Sequence, residues 1–333
     1  MKTYIVYNCF LIKKWKELVS EQMERVKNTG LLDAIDKMYI HVTITGKEQK
    51  EEFNSIIKNY NNVSVCFHER NAYEYFGINR VWQLGTEEDC KIMYFHTKGV
   101  SNDYIHSAGV ENNYSELKVK CIRDWRRILE YTCIDLWEEN FRLLDENDMV
   151  GCSCNGNWWW GNFWWVHSRH VKKLKAPSDG VSRWDYEAWV NESGFAKIHE
   201  HQHMDYQPYF TDVPEEFYNK KFTNKYKGSK ITIHSAYYGQ NGIQIDEGRR
   251  MPSNECKKDV TDIMRKNLEN NGGLYTNIYI CNESMEGDPC YGTPKELYIK
   301  YSFECEPAKI FEAAGVEWKH LKFPFFNIQT TKI

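Results

Sequence analysis

Apolar and polar positions switch between two periods over the first two hundred residues. Tyr4 to Tyr7 is a short apolar run. Trp15, Leu18, Val19, Met23 and Val26 then recur at helical spacing, and Gly30 stops the pattern. Met38 to Ile44 alternates, is rich in β-branched residues and ends at Thr45-Gly46, which predicts a strand. Phe53, Ile56, Ile57 and Tyr60 lie on one face of a helix over Glu48 to Tyr60. Val63 to Phe67 reads as a third strand, Tyr73 to Leu84 as a third helix and Lys91 to Phe95 as a fourth strand. Strands alternating with helical stretches of ~10–15 residues predict βαβ units and a mostly parallel sheet flanked by helices. Ser115 to Leu144 carries one long amphipathic pattern, with a break into two helices left open. Met149-Val150-Gly151 resumes the sheet.

The stretch Cys154 to Leu174, CNGNWWWGNFWWVHSRHVKKL, holds five of the twelve tryptophans. It predicts a loop, a strand and a short helix capped by Ser168. Two readings of its indoles stand side by side. They fill a core, or they form a platform on which a ring-shaped ligand stacks, with Asn155, Asn157 and Asn162 as hydrogen-bond partners. Ser182-Arg183-Trp184-Asp185 matches a capping box, so Trp184 to Asn191 is predicted helical, with Gly194 ending it. Pro208 to Lys227 is charged, aromatic and irregular.

From Gly228 the pattern changes. Ile231 to Ile233, Leu274 to Ile280, Leu297 to Phe303 and Leu321 to Phe323 are short strand candidates between Gly, Pro and Asn turns, with one helix over Thr261 to Leu268. The fold class expected is α/β, a mostly parallel sheet flanked by helices, followed by a small β-rich, sandwich-like domain. The domains expected are residues 1–215, a linker over 216–228, and 229–333.

Composition sharpens this only in places. The 333 residues suit about two domains. Hydrophobic residues make up 41% and aromatic residues 15%, enough for two cores. The net charge of −4 comes from interspersed signs, which argues against nucleic acid as a partner. No window approaches the ~18 consecutive apolar residues of a membrane span. The opening MKTYIVYNCFLIKK is read as a first strand rather than a secretory signal, because its apolar part is short and lacks a small-residue cleavage site. Eleven scattered cysteines without a CxxC pair fit reduced thiols and a cytoplasmic location.

Candidate chemistry gathers at the strand ends, where sheets of this kind bind ligands. Those ends are Tyr7-Asn8, Thr45-Gly46, Glu69-Arg70 and His96-Thr97-Lys98-Gly99. Lys98 and its neighbouring backbone could hold a diphosphate, or the tetrapeptide is an ordinary strand-to-loop turn. Glu187, one turn inside its helix and beside Trp184 and Trp189, is a candidate general base; the alternative is a solvated helix-face carboxylate. Asp185 is a second catalytic candidate whose rival role is helix capping. His199, His201 and His203 alternate, so on a strand they face one side. His203 with Asp205 is the preferred metal-binding pair. Gly287-Asp288-Pro289 and Asp259-Val260-Thr261 read as turn and cap chemistry.

Residues ~1–215 resemble a group of small glycosyltransferase-like proteins of the GT-A type. The resemblance rests on Trp15 to Leu31, on Met93 to Ser101 with its strand-end HTKG, on Trp125-Arg126, on Gly161-Asn162-Phe163-Trp164-Trp165 and on Glu187-Ala188-Trp189. It implies a nucleotide-sugar donor held by Tyr7, Asn8, Thr45, Glu69, His96, Thr97 and Lys98. It also implies a glycan or other hydroxyl acceptor near Trp160, Asn162, Trp164 and Trp165. Where GT-A enzymes usually carry Asp-x-Asp for a metal, this chain has His96-Thr97-Lys98. Either Lys98 replaces the cation's charge, or a histidine such as His203 helps bind Mn2+ or Mg2+. The function expected is inverting glycosyl transfer with Glu187 as base; the rivals are a non-catalytic carbohydrate-binding protein and a pure interaction protein. Residues ~229–325 resemble the carboxyl-terminal domain of certain mitochondrial J-domain proteins, through Ala236 to Gly239, Asp259 to Thr261, Gly287 to Pro289 and Lys295 to Tyr301. That resemblance implies an accessory module that contacts a protein partner.

Overall fold

The computed structural model describes residues 1–100, 113–155, 158–194, 196–202, 208, 211–219, 225–240 and 256–324. The chain forms two compact units, residues 1–110 with 126–203 and residues 111–125 with 204–333.

The first unit contains β1 (Lys2–Phe10), α1 (Trp15–Asn28), α2 (Leu31–Ala34), β2 (Lys37–Thr43), α3 (Glu48–Ile57), β3 (Val63–His68), α4 (Tyr75–Glu87) and β4 (Cys90–His96). Helix α5 (Asn113–Glu130) enters this unit at Arg126 and runs through a π-helical turn at Tyr131–Asp135 into α6 (Trp137–Glu146). That turn is the break left open within the long amphipathic pattern. Then follow β5 (Met149–Gly151), the hairpin β6 (Cys154–Asn155) and β7 (Trp158–Trp159), β8 (Trp164–His167), α7 (Ser168–Val171), α8 (Arg183–Ala188) and β9 (Ile198–Glu200).

Seven strands make one sheet in the order β3-β2-β1-β4-β8-β5-β9. The pairs β1–β2, β2–β3, β1–β4 and β5–β9 are parallel, and β8 runs against both neighbours. The chain builds outward from β1 through β2 to β3, then returns to place β4 on the other side of β1. That reversal is the switch point at which sheets of this class open a crevice beyond their carboxyl ends.

Alternation along the strands loads both faces. Tyr4, Val6, Ile92, Tyr94, Trp164 and Val166 pack with Ile78, Val81 and Leu84 of α4 on one side. Tyr7 and Phe95 stack on the other, with ring centroids 4.2 Å apart and planes within 4°. The predicted face of α1 is buried as expected at Trp15, Leu18, Val19, Met23 and Val26. One local expectation fails at α7. His167 caps it, its Nδ1 accepting from the Arg169 N–H, while the Ser168 hydroxyl accepts from the Cys90 N–H.

The second unit holds β10 (Ile231–Gln240), β11 (Lys257–Asp259), α9 (Thr261–Asn270), β12 (Thr276–Tyr279), β13 (Lys295–Phe303), β14 (Glu306–Val316) and β15 (His320–Phe323). An antiparallel sheet runs β11-β10-β13-β14, and β12 and β15 form a separate ribbon. Strand β14 went unpredicted because Glu306, Lys309 and Glu312 break its apolar run. The described residues of the stretch expected as a linker contribute to the core of this unit. Phe217 and Tyr226 are fully buried, and Tyr226 stacks on Phe303 at 4.6 Å. Asp259 and Asp288 hold turns as expected, accepting from the Thr261 and Cys290 N–H groups at 2.9 and 2.8 Å.

Candidate functional site

The carboxyl ends of β1 and β4 are stitched together by the residues that the sequence singled out. The Thr97 N–H donates to the Asn8 carbonyl at 3.2 Å, and the Thr97 hydroxyl accepts from the Phe10 N–H at 3.0 Å. The Asn8 amide donates to the Tyr73 carbonyl at 3.3 Å. Both side chains are buried and already partnered, so they shape the strand tips rather than face a ligand.

The loop between β7 and β8 reaches the same place because β8 runs against β4 and Trp164 pairs with Tyr94. Gly161 and Asn162 take left-handed backbone, φ 73° and 55°, which glycine adopts freely and asparagine tolerates. The turn aims the Asn162 side chain at Glu74, the residue just before α4. Glu74 is buried, accepts from the Tyr94 hydroxyl at 2.9 Å and accepts from the Asn162 amide. The other end of Asn162 accepts from the Trp164 indole N–H at 2.6 Å. Helix α4 comes this close because Gly77 has no side chain. A Cβ there would lie 2.9 Å from the Tyr94 ring and 3.1 Å from the Asn8 Cβ.

Four ionisable groups belong to this tip. Burial raises the Glu74 carboxyl, partly offset by its hydrogen bonds to Tyr94 and Asn162. Burial pushes His96 down to about 3, and Lys98 adds to the push. The His96 Nε2 bonds the Gly161 carbonyl at 2.9 Å. Burial also lowers the Lys98 ammonium, while attraction to Glu187 and Glu74 opposes that shift. Glu187 is mostly buried and pairs with Arg183 at 2.9 Å, one turn earlier on α8. Thus Glu187 and Lys98, far apart in the chain, fall within electrostatic range of each other.

Other expected site residues lie elsewhere. The Tyr7 side chain is sealed in the core with its hydroxyl donating to the Gln22 side-chain amide oxygen at 2.6 Å, so it cannot touch a sugar donor. Thr45 is exposed, and its N–H donates to Gln49 at 2.7 Å at the start of α3. Glu69 is exposed and pairs with Lys50 at 3.4 Å. Asp185 closes the capping box, accepting from the Ser182 N–H at 2.8 Å, which leaves it a structural role.

The tryptophan platform needs the firmest correction. Trp164 and Trp165 are completely buried, on opposite faces of β8. Trp164 stacks on Tyr94 at 5.0 Å, and Trp165 meets Phe141 edge-on with its N–H on the Cys133 carbonyl at 2.8 Å. With each N–H satisfied, two adjacent indoles sit comfortably in a core. Asn162 is as buried as they are, so none of the three is placed to meet an acceptor. Trp160 is partly buried. Among the described residues of the first unit, the exposed indoles are Trp158 and Trp184, 41% and 60% accessible. His203 and Asp205 lie outside the described residues. His199 and His201 do adjoin, with rings 5.2 Å apart, and the His201 Nε2 bonds the Asn140 side-chain oxygen at 2.6 Å.

Sequence reasoning missed Glu74 and Arg183. Glu74 had a signal: a single carboxylate within the aromatic run Tyr73 to Phe76 is placed for burial.

No protein-family model matches the chain, and no curated protein matches it, so neither resemblance gains support from that side. Among solved structures it is similar to 4-diphosphocytidyl-2C-methyl-D-erythritol synthase from Anaerococcus prevotii. That likeness has a TM-score of 0.33 and 8% identity, over 60% of this chain and 87% of the other. So loose a likeness carries no conclusion about ligand or reaction.

Proposed function

We propose that the first unit is a glycosyltransferase that binds a nucleotide-sugar donor at the carboxyl ends of β1 and β4. The observation that supports it most is the electrostatic attraction between Lys98, at the end of β4 beside the switch point of the sheet, and the mostly buried Glu187 of α8. Lys98 and Arg183 supply positive charge for the donor's diphosphate, which carries growing negative charge as the glycosyl bond breaks. As Arg183 turns to the diphosphate, it releases Glu187. That carboxylate then takes the proton of the acceptor hydroxyl attacking the anomeric carbon, giving inversion. Trp184, one turn from Glu187, offers the exposed aromatic face for the acceptor sugar, with Trp158 as a second.

In this reading Lys98 supplies the cation for the diphosphate, in the role a metal plays elsewhere. A Mn2+ or Mg2+ ion on His203 and Asp205 stays in the proposal on sequence grounds. The second unit is an accessory module for a protein partner, and its exposed Trp318 and Tyr291 are the aromatic side chains to probe. Among the described residues no helix is long and apolar enough to cross a membrane. The eleven free thiols fit the proposed cytoplasmic, reducing location.

The test is incubation with UDP-, GDP- and dTDP-sugars and simple glycan acceptors, with and without Mn2+ or a chelator. Transfer with inverted anomeric configuration is expected. Retained configuration removes Glu187 as base. Binding without transfer or hydrolysis assigns a non-catalytic carbohydrate-binding protein, and binding of no nucleotide sugar at all overturns the reading.

A further inference from the structure

Away from the β4 tip, the outer pair of strands carries a second group of chemically able side chains. His41 lies on β2, and Cys66 and His68 lie on β3. The register pairs His41 with Cys66 directly and sets His68 against Thr43, two residues along. Side chains two apart on a strand share a face, so the three converge on one side of the sheet. Their ligand atoms all lie within 4.8 Å of one another. The two imidazoles face each other through His41 Nδ1 and His68 Nε2, 3.1 Å apart.

Those spacings can be compared with what a metal needs. With Zn–N of about 2.0–2.1 Å and Zn–S of about 2.3 Å, neighbouring ligands of a tetrahedral ion stand ~3.3–3.6 Å apart. The imidazole pair is thus within a few tenths of an ångström of ligating distance, and the thiol lies within 4.8 Å of both ring nitrogens. The surroundings hold the rings in place. His68 stacks on Phe76 at 3.6 Å with planes 4° apart, and lies parallel to His41 at 5.3 Å. Cys66 is exposed, which leaves an entry path from solvent. Two cations act on the rings, Arg80 on His41 and Arg70 on His68. Arg70 is held by both oxygens of Asp179 at 2.9 and 2.6 Å, and Arg80 lies over the Tyr39 ring at 4.0 Å. An anion or hydroxide on the open fourth position would suit them.

We propose that His41, Cys66 and His68 form a binding site for a borderline-soft divalent ion of the Zn2+ class, with two nitrogens, one sulfur and one open position. Binding breaks the hydrogen bond between the imidazoles. The proton between them moves to the far nitrogen of its own ring, and the Cys66 thiol releases its proton to solvent as the metal–sulfur bond forms. The site lies on the outer strands of the sheet, and it stands whether or not the β4 tip binds a nucleotide sugar.

The test uses the full-length reduced protein stripped of metal. Zn2+ is titrated against a chromophoric chelator, and Co2+ is followed optically. One equivalent is expected, with a thiolate-to-cobalt charge-transfer band. Loss of a mere outer partner of a metal ligand weakens binding about 10–100-fold, so Cys66→Ser and His68→Gln are each expected to weaken Zn2+ by at least ~100-fold. Cys66→Ser also loses the band, and His320→Ala, on β15, leaves the equivalent in place. Zn2+ is expected to slow alkylation of Cys66 but not of Cys305, which is also exposed. Unchanged metal-free circular dichroism shows that the variants fold. Absence of the thiolate band, or wild-type Zn2+ affinity in folded Cys66→Ser, overturns the site.

Discussion

Two ends of the same sheet carry the residues expected to hold a donor, and they differ in one physical respect. At the tips of β2 and β3, Thr45 and Glu69 stand in water, engaged in a helix start and a surface ion pair. At the tips of β1 and β4, Glu74, His96 and Lys98 are removed from water. An exposed carboxylate beside a lysine costs the fold little and contributes little. Three ionisable groups withdrawn from water cost free energy, and they persist there because Tyr94, Asn162 and the Gly161 carbonyl are built around them. Being at a strand end is therefore not enough. The distinction lies in whether the switch in strand order buries the end and brings a second loop over it.

The largest expected effect separates chemistry from framework. Glu187→Gln should lower kcat by about 10²–10⁴-fold with KM little changed, as loss of a general base does. Equal turnover by wild type and variant would break the comparison at its functional end. Next comes the packing that supports the tip. Trp164→Ala should cost about 3–5 kcal/mol in urea unfolding, whereas Trp184→Ala, at an exposed indole, should stay within about 0.5 kcal/mol yet weaken acceptor binding.

Acid should act through His96. Its folded-state pKa is depressed to about 3 by burial, against about 6.5 in the unfolded chain, so the unfolded state binds more protons below neutrality. The stability involved is fully present above about pH 6.5 and falls as pH drops toward 3. Between pH 7 and 4 the loss is on the order of 3 kcal/mol, read from urea midpoints. The raised Glu74 carboxyl works in the opposite direction, and His96→Gln isolates the histidine part by flattening the profile. Gly77→Ala should cost about 1–3 kcal/mol by pushing α4 off Tyr94 and Asn8. Smallest of all, Glu69→Ala and Thr45→Ala should change stability by under about 0.5 kcal/mol and leave activity intact.

The fold was readable where one periodicity ruled a segment. The buried face of α1 and the four parallel strands follow from apolar spacing alone, whereas the break in the helix before β5 stayed open in the sequence. Strand β14 did not, because Glu312 on it answers Lys300 across the sheet at 3.2 Å, and a sequence shows no cross-strand partner. The site was readable in part. Lys98 and Glu187 were named, but sequence could not show that Trp164 and Trp165 hide on opposite faces of one strand. Nor could it show that Asn162 spends both ends of its amide on Glu74 and Trp164. Indole-rich runs look alike whether they line a core or a platform, and only the burial of each ring in the fold decides.

The most direct test of the central claim is a calorimetric titration of a nucleotide-sugar panel into wild type, Lys98→Met and Glu69→Gln. The account predicts binding by wild type, binding within twofold of it by Glu69→Gln, and at least about tenfold weaker binding by Lys98→Met, the equivalent of one lost charge-assisted contact of about 1.4 kcal/mol. Undiminished affinity in folded Lys98→Met, or a greater loss in Glu69→Gln, would contradict it.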